Sequence, residues 1–570
     1  MMQRVSLLSL RRLVRAPQLR RYLTSITGSR VSPTLTVDGE GRLRYEDMYN
    51  RLLQLYTASD GCIAAKDFQE DITKTGLLLS DPRLQPTFSK MEEATVDQKL
   101  SQEAFIEAVS SNIPLIEKAL RGKVIIPEFS NFTQAVEGIY SDCASNQDGE
   151  VANYIPALAD VNPDLWGVSL CTIDGQRHSV GDCSEKFTIQ SGGKCFSYSI
   201  VVDEYGVEKV HRYVGKEPSG KSFNSLVLND DFKPHNPMIN AGALILCSLV
   251  KQSLPINEKV NFMLKKFCDM AGLPEKALKC DISTCDSEMA TADRNYALLH
   301  YMKSMGVFPE EADLKDTLKF YTRLCSIEVD CESGAVMAAT LANAGYCPIT
   351  GKKVVGLDAV RNTLTLMHSC GMYDSAGEFS FAVGLPAKSG VSGVILLVVP
   401  NVMGLCLYSP KVNKNGNSLR GLQFCESFVE RFNFHNYDSL LQVNSKTDPR
   451  RRRGEHKELE VTSIMYAAHS GAVSSLQRYA MAGINLSQCN YDGRTPLHIG
   501  AAEGHLSVVE FLISTVSVLK NPKDRWARTP LDEAYIFGHS EVAEYLKQHG
   551  ALTGSEITTP PYTHSNAHTR

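Results

Sequence analysis

No Cys-x-x-Cys pair occurs among the 16 cysteines of this 570-residue chain. Zinc clusters and dithiol redox sites depend on that spacing, and no secretory leader is visible, so a zinc centre and a disulfide framework are both set aside. Reduced, mostly buried thiols are the expectation. No apolar stretch reaches the length of a membrane span. Val391 to Leu407 comes nearest, but Pro400 and Asn401 interrupt it, and two strands explain it better. Excess charge is lacking too: a formal net charge of -5 excludes a general nucleic-acid surface. One absence is local. No acidic residue precedes Asp38, while arginines stand at 4, 11, 12, 15, 20, 21 and 30 with leucines interleaved. That composition predicts a mitochondrial transit peptide over 1–37, and hence a matrix or inner-membrane-associated protein.

What is present points to acyl transfer. Ser191-Gly192-Gly193-Lys194 places a hydroxyl and an amine three residues apart, on one face of a helix. A lysine whose pKa is lowered by burial or by another cation can take the serine proton and create a nucleophile. A second run, Lys388-Ser389-Gly390, lies between apolar segments, where a strand edge can aim backbone N–H groups and a charge at a carbonyl. Alone, Ser-x-x-Lys is a weak signal; Ser517 and Lys520 repeat it without meaning. In this order the two runs resemble the serine-reactive β-lactamase and penicillin-binding architecture.

Longer stretches narrow the resemblance. Tyr154-Ile155-Pro156, Asp164 to Val168, Asp174 to Ser179, His211 to Gly220, His235 to Ala243, Cys325 to Val329, Met367 to Tyr373, Gly384 to Val391 and Pro400 to Gly404 resemble the glutaminase family of animal mitochondria. The likeness runs from about residue 120 to 550. It implies a multidomain α+β protein whose catalytic domain, 123–440, is β-lactamase-like, with L-glutamine as substrate, no cofactor, activation by inorganic phosphate, and self-association to dimers and tetramers. Ser191 is then the nucleophile and Lys194 its activator, with Tyr373 as second proton carrier. The Ser191 and Val391 backbone N–H groups would form the oxyanion hole. Glu288 suits the substrate ammonium; Asn240, Asn295, Tyr154 and Tyr321 suit its carboxylate, and Gln190 is a further contact. The same resemblance marks Gly220 to Asp230, including Phe223 and Val227, as the loop toward the tetramer interface.

The chain departs from the family at its centre. Relatives carry Cys-Val where this chain has Gly192 and Gly193, and a proline where it has Cys195. Glycines cost about 1 kcal/mol each in a helix interior, so a loosened turn and a weakened enzyme are expected, with Cys-Val restored at 192 and 193 at least as active. Two other classes stay open: a scaffold acting through C-terminal repeats, and a β-lactam-reactive enzyme sharing only the two short motifs.

The flanks complete the organisation. Residues 38–122 read as helices, with an EF-hand outline around Asp60-Gly61 in which Tyr56 and Ala58 fall at ligand positions and offer no carboxylate, so a packing role is expected. Within the catalytic domain, Gly167 to Ile173, Tyr198 to Val202 and Gly393 to Val399 read as strands, and Asn236 to Gln252 and Gly334 to Asn343 as helices. Residues 441–456, with four consecutive arginines from Arg450, read as an exposed linker. Thr495-Pro496-Leu497-His498 and Thr529-Pro530-Leu531-Asp532 recur close to the ankyrin period of about 33, giving repeats over 457–552 with unidentified protein partners. A Thr/Ser/Pro-rich tail over 553–570 is expected to be disordered.

Overall fold

The computed structural model describes residues 42–58, 61–95, 100–220, 225–438, 446–451, 453–481 and 484–557. The transit-peptide segment, Phe223 and residues 558–570 lie outside them. The first described helix is α1 (Arg42–Tyr56). Four more follow: α2 (Ala65–Lys74), α3 (Gln85–Ala94), α4 (Gln102–Ser110) and α5 (Ile113–Leu120). The EF-hand-like loop closes through isolated bridges from Ile63 to Thr57 and to Leu100. Phe68 and Phe105 meet edge to face in the core of this region.

The region expected to be catalytic is organised by a five-stranded antiparallel sheet: β1 (Gly167–Thr172), β2 (Arg177–Gly181), β3 (Ala387–Gly390), β4 (Val394–Val399) and β5 (Met403–Tyr408), in the order β2-β1-β5-β4-β3. Strands β4 and β5 are buried on both faces, which is why they read as unbroken apolar runs. Their side chains alternate. Ile395, Leu397 and Val399 join one core with α6 (Phe129–Ala144); Val394, Leu396 and Val398 join the other. The second core holds α7 (Lys194–Tyr205), α8 (Asn240–Leu249), α9 (Ile282–Ala290), α10 (Asp293–Ser304), α11 (Leu314–Cys325) and α12 (Cys331–Ala342). Asp313 caps α11, and Asp330 with Ser333 forms a reciprocal cap on α12, the helix laid across β5. The last helix, α13 (Leu419–Arg431), packs beside α6.

Tyr198 to Val202 is not a strand; it is the middle of α7. Every residue of α7 from Lys194 to Val202 is buried, so the sequence carries no amphipathic stripe. A short β-branched run of this kind cannot be told from a strand by periodicity.

The turn between β1 and β2 is held by the N-terminal helical region. Lys118 pairs with the Asp174 carboxylate, which also accepts the Ile125 N–H at 2.7 Å. Arg83 donates to the Asp174 carbonyl at 2.8 Å. The buried Gln176 amide donates to the carbonyls of Thr75 and Ile126 at 2.7 and 2.9 Å.

Beyond the sheet, the start of the basic linker is not free. Thr447 accepts from Asn433 and donates to the Arg431 carbonyl, and Lys446 pairs with Asp438 at 2.8 Å. Asp448 takes the Arg450 guanidinium, while Arg450 and Arg451 stay exposed, as expected of the charge run. The repeats follow, with helices at Arg453–His469, Val473–Met481, Pro496–Ala502 and Pro530–Ile536 among others. The recurring Thr-Pro is a helix start: threonine caps, and proline occupies a first-turn position whose N–H has no helical partner. Gly471, Gly504 and Gly538 adopt φ of 69°, 74° and 77° at the inter-helix turns.

Candidate active site

Ser191 lies in a single 3-10 turn, Gln190–Gly193, that runs directly into α7. Burial on all sides of α7 makes the turn's exit rigid, and Lys194, its first residue, is itself buried. The Lys194 Nζ donates to Ser191 Oγ at 2.9 Å and to Asn240 Oδ1 at 2.6 Å. Desolvation lowers the amine's pKa to about 8. That is the state a serine-activating base requires at near-neutral pH.

Asn240 opens α8, and its side chain ties three groups together. Its Oδ1 also accepts the Tyr321 hydroxyl at 3.1 Å, and its Nδ2 donates to Asn295 Oδ1 at 3.3 Å. Tyr321 comes from α11 and Asn295 from α10, so three helices converge on one lysine. Burial, with the nearby Cys325 and Glu288, raises the Tyr321 phenol, which stays a donor.

A second cluster stands beside the first. Glu288, on α9, is only 8% exposed and accepts the Tyr154 hydroxyl at 2.7 Å. Burial raises its carboxyl, opposed by hydrogen bonds from Tyr154 and Gln190 and by the Lys194 charge. Tyr154 is 46% exposed, so the polar groups descend from the surface toward Ser191. The Tyr154 hydroxyl, expected at the substrate carboxylate, donates to Glu288 here, which links the two groups expected at the substrate's charged ends. A buried carboxylate that makes no ion pair among the described residues, with Lys194 acting only at a distance, is suited to an ammonium group. Glu288→Gln is expected to lower kcat/KM by at least about 30-fold, mostly through KM. The basis is the roughly 2 kcal/mol or more lost when one member of a buried charge pair is neutralised. Steady-state kinetics check it.

Tyr373 approaches from the opposite side. Its pKa is raised by burial, and hydrogen bonds with Ser191 and with the Val391 backbone N–H act the other way. The phenol therefore stays protonated, in contact with the serine. Gln190 and Tyr373 have φ of +48° and +52°, positive values rare for residues with side chains. Both flank Ser191, and strain of about 1–3 kcal/mol per residue is characteristic of sites where geometry is over-determined.

Lys388, on β3, does not reach the serine. It is buried, its Nζ donates to the carbonyls of Gly371 and Ser389 at 3.2 and 2.6 Å, and it lies 4.6 Å from the centre of the Tyr373 ring. Desolvation and the Lys194 charge bring its pKa to about 7. Its place is beneath Tyr373, electrostatic and structural.

The two glycines are not loose. A Cβ at Gly192 would stand 3.2 Å from Val394 Cγ1 and 3.3 Å from Ile189 Cγ1; one at Gly193 would stand 3.1 Å from Ile189 Cγ2. Both positions are tight, and the atoms that crowd them belong to side chains rather than to backbone. To admit Cys-Val at 192 and 193, Ile189 and Val394 would have to give by a few tenths of an ångström, and a core that cannot give loses about 1–3 kcal/mol to overpacking.

Every residue expected at the site is thus brought to one place, in contacts the sequence could not specify. Sequence reasoning missed Cys325, which lines a narrow cavity with Gly193, Lys194 and Tyr321. It also missed Asn415 and Gly416, beside Tyr373: Asn415 bonds Ser375 at 2.7 Å, and a Cβ at Gly416 would touch the Tyr373 ring. Nothing in their local sequence signals this. Among the described residues no group of histidine, cysteine and carboxylate side chains is arranged to hold a metal, and no helix is long and apolar enough to cross a membrane.

The sequence profile of the glutaminase family matches residues 149–437. Profiles for ankyrin repeats, in three copies, and for an EF-hand domain match 464–557 and 48–127. The chain is 50% identical over 503 residues to the mitochondrial liver isoform of glutaminase from Rattus norvegicus, covering 87% of this chain and 83% of the relative. A glutaminase of Trichormus variabilis is 41% identical over 312 residues, 55% of this chain and 92% of that protein. A solved structure described as a probable glutaminase superposes with a TM-score of 0.51 at 32% identity, covering 53% of this chain and 96% of that one.

Proposed function

This chain belongs to the glutaminase family and is a glutamine amidohydrolase; on that premise we propose that it releases glutamate and ammonia through an acyl-enzyme on Ser191. The observation that carries the mechanism is the 2.9 Å contact between Lys194 Nζ and Ser191 Oγ in a dry site.

Neutral Lys194 takes the hydroxyl proton as Ser191 Oγ adds to the side-chain amide carbonyl of glutamine. The oxyanion is received by the backbone N–H groups of Ser191 and Val391. Collapse breaks the C–N bond, and a proton passed through Lys194 and Tyr373 leaves with ammonia. Water then attacks the ester, the same pair taking its proton, and glutamate departs with Ser191 restored. Glu288 holds the substrate ammonium, while Asn295, Asn240 and Tyr321 offer donors to the α-carboxylate. The scaffold alternative is not favoured: the Ser–Lys contact is intact and the turn is packed.

Location and control follow as parts of the same proposal. The mitochondrial relatives and the arginine-rich start support a mitochondrial protein, with the matrix or inner-membrane face as its place. Leu226 and Val227 are exposed apolar residues in the described part of the loop assigned to assembly, and Phe232 is exposed just beyond it, which supports self-association to dimers and tetramers. Inorganic phosphate is the proposed activator, and the repeats the surface for protein partners.

The purified chain is expected to release ammonium and glutamate in equal amounts from L-glutamine, faster with phosphate present. Absence of ammonium above the blank, with or without phosphate, would sink the reading.

A further inference from the structure

One methyl group packs against both halves of the reaction centre where they meet. A Cβ at Gly192, directly after the nucleophile, would lie 3.2 Å from Val394 Cγ1; a Cβ at Gly390, just before Val391, would lie 2.7 Å from the same atom. The Gly390 Cβ would also fall 2.8 Å from the Ile189 carbonyl and 3.0 Å from the Gly192 nitrogen, so the end of β3 and the serine turn meet backbone to backbone. Val394 opens β4, pairs with Gly390 in the antiparallel register and is fully buried. Its side chain is β-branched and therefore stiff about χ1 in a strand.

We propose that Val394 is a positioning residue: its Cγ1 methyl sets the separation between the Ser191 turn and the Val391 amide, filling the volume a side chain at 192 would otherwise occupy. The proposal rests on the assignment of Ser191 and Val391 above. The chain's departure from its relatives at 192 then becomes a relocated wedge rather than a lost one. The wedge comes from the strand across the gap instead of from the turn itself. Two glycines facing one stiff methyl define a fixed gap, whereas two flexible side chains would not.

The test is a double-mutant cycle in the full-length chain, read as kcat and KM separately with thermal melting alongside. Val394→Ala is expected to lower kcat about tenfold with KM within about twofold, since displacements of an ångström cost about 100-fold and this one is smaller. Gly192→Ala alone is expected to lower kcat by crowding the same methyl. Gly192→Ala with Val394→Ala is expected to bring kcat back within about threefold of the parent, a coupling opposite in sign to additive losses. A merely structural role would lower the melting temperature in both single variants and add in the double. Full kcat in Val394→Ala, or a double variant no faster than its slower parent, overturns the proposal. If Val394→Ala does not fold, the volume-matched double variant decides: inactive and folded, it overturns the proposal, and active, it supports it. A parent protein that releases no ammonium removes the activity reading itself, an outcome distinct from turnover without rescue.

Discussion

Ser191→Ala is expected to abolish ammonia release, by about 10⁴-fold or more in kcat, while glutamine still raises the melting temperature. In the proposed mechanism the hydroxyl forms the covalent bond, and Lys194, Tyr373 and the two amides act only through it. Losing it should leave the ammonium and carboxylate contacts in place, because Glu288 is held by Tyr154 and Asn240 by Tyr321 and Asn295, none of them through Ser191. Calorimetry or a thermal shift with glutamine measures the retained binding, and an ammonium assay the lost turnover. Substantial turnover by the variant would transfer the nucleophile's role elsewhere and defeat the mechanism.

Replacing the amine is expected to come second. Lys194→Met keeps much of the side chain's length and removes the base, and kcat should fall about 10³-fold, inside the range found for general-base groups. The pH dependence separates this from mere damage. In the unaltered protein the amine has a pKa of about 8 and bears a proton below it, with no lone pair to accept one from serine. Activity should therefore climb as pH rises through about 8, and drop about tenfold for each unit below. In Lys194→Met that limb should vanish. A limb that persisted unchanged would assign the titration to Lys388, whose pKa of about 7 and burial make it the next amine to consider.

How far the sequence could be read depends on which physical constraint each residue obeys. Ser191 and Lys194 were legible because three-residue spacing on a helical turn is a local rule. The strands β4 and β5 were legible because Pro400 and Asn401 divide their apolar run, and Asn401 does adopt a φ of +61° in the turn. Tyr198 to Val202 failed the same reading, since a helix enclosed on every side has no polar face to reveal its period. Lys388 carried a charge that sequence could place on a strand edge but not aim. Its carbonyl partners come from its own strand and from Gly371, 17 residues earlier. Val394 was invisible altogether: a valine in an apolar strand reads as core, and only the two glycines opposite it show what the methyl separates. The family resemblance supplied the expected site residues. The structure supplied their connections, including the commitment of Tyr154 to Glu288.

The grip on the β1–β2 turn gives the EF-hand-like segment a standing that its missing calcium ligands would not suggest. Asp174 and Gln176 satisfy their buried polar atoms with Lys118, Thr75 and the chain at Ile125 and Ile126. A fragment trimmed to begin near residue 123 would keep the hairpin and its bonds at Ile125 and Ile126 yet lose those to Lys118 and Thr75, each orphaned atom costing about 1–3 kcal/mol. The penalty would fall on the strand next to the sheet's middle, the one that pairs along its whole length with β5. A segment that resembles a calcium sensor serves this chain as a keystone, and the boundary between the two domains is a seam in sequence only.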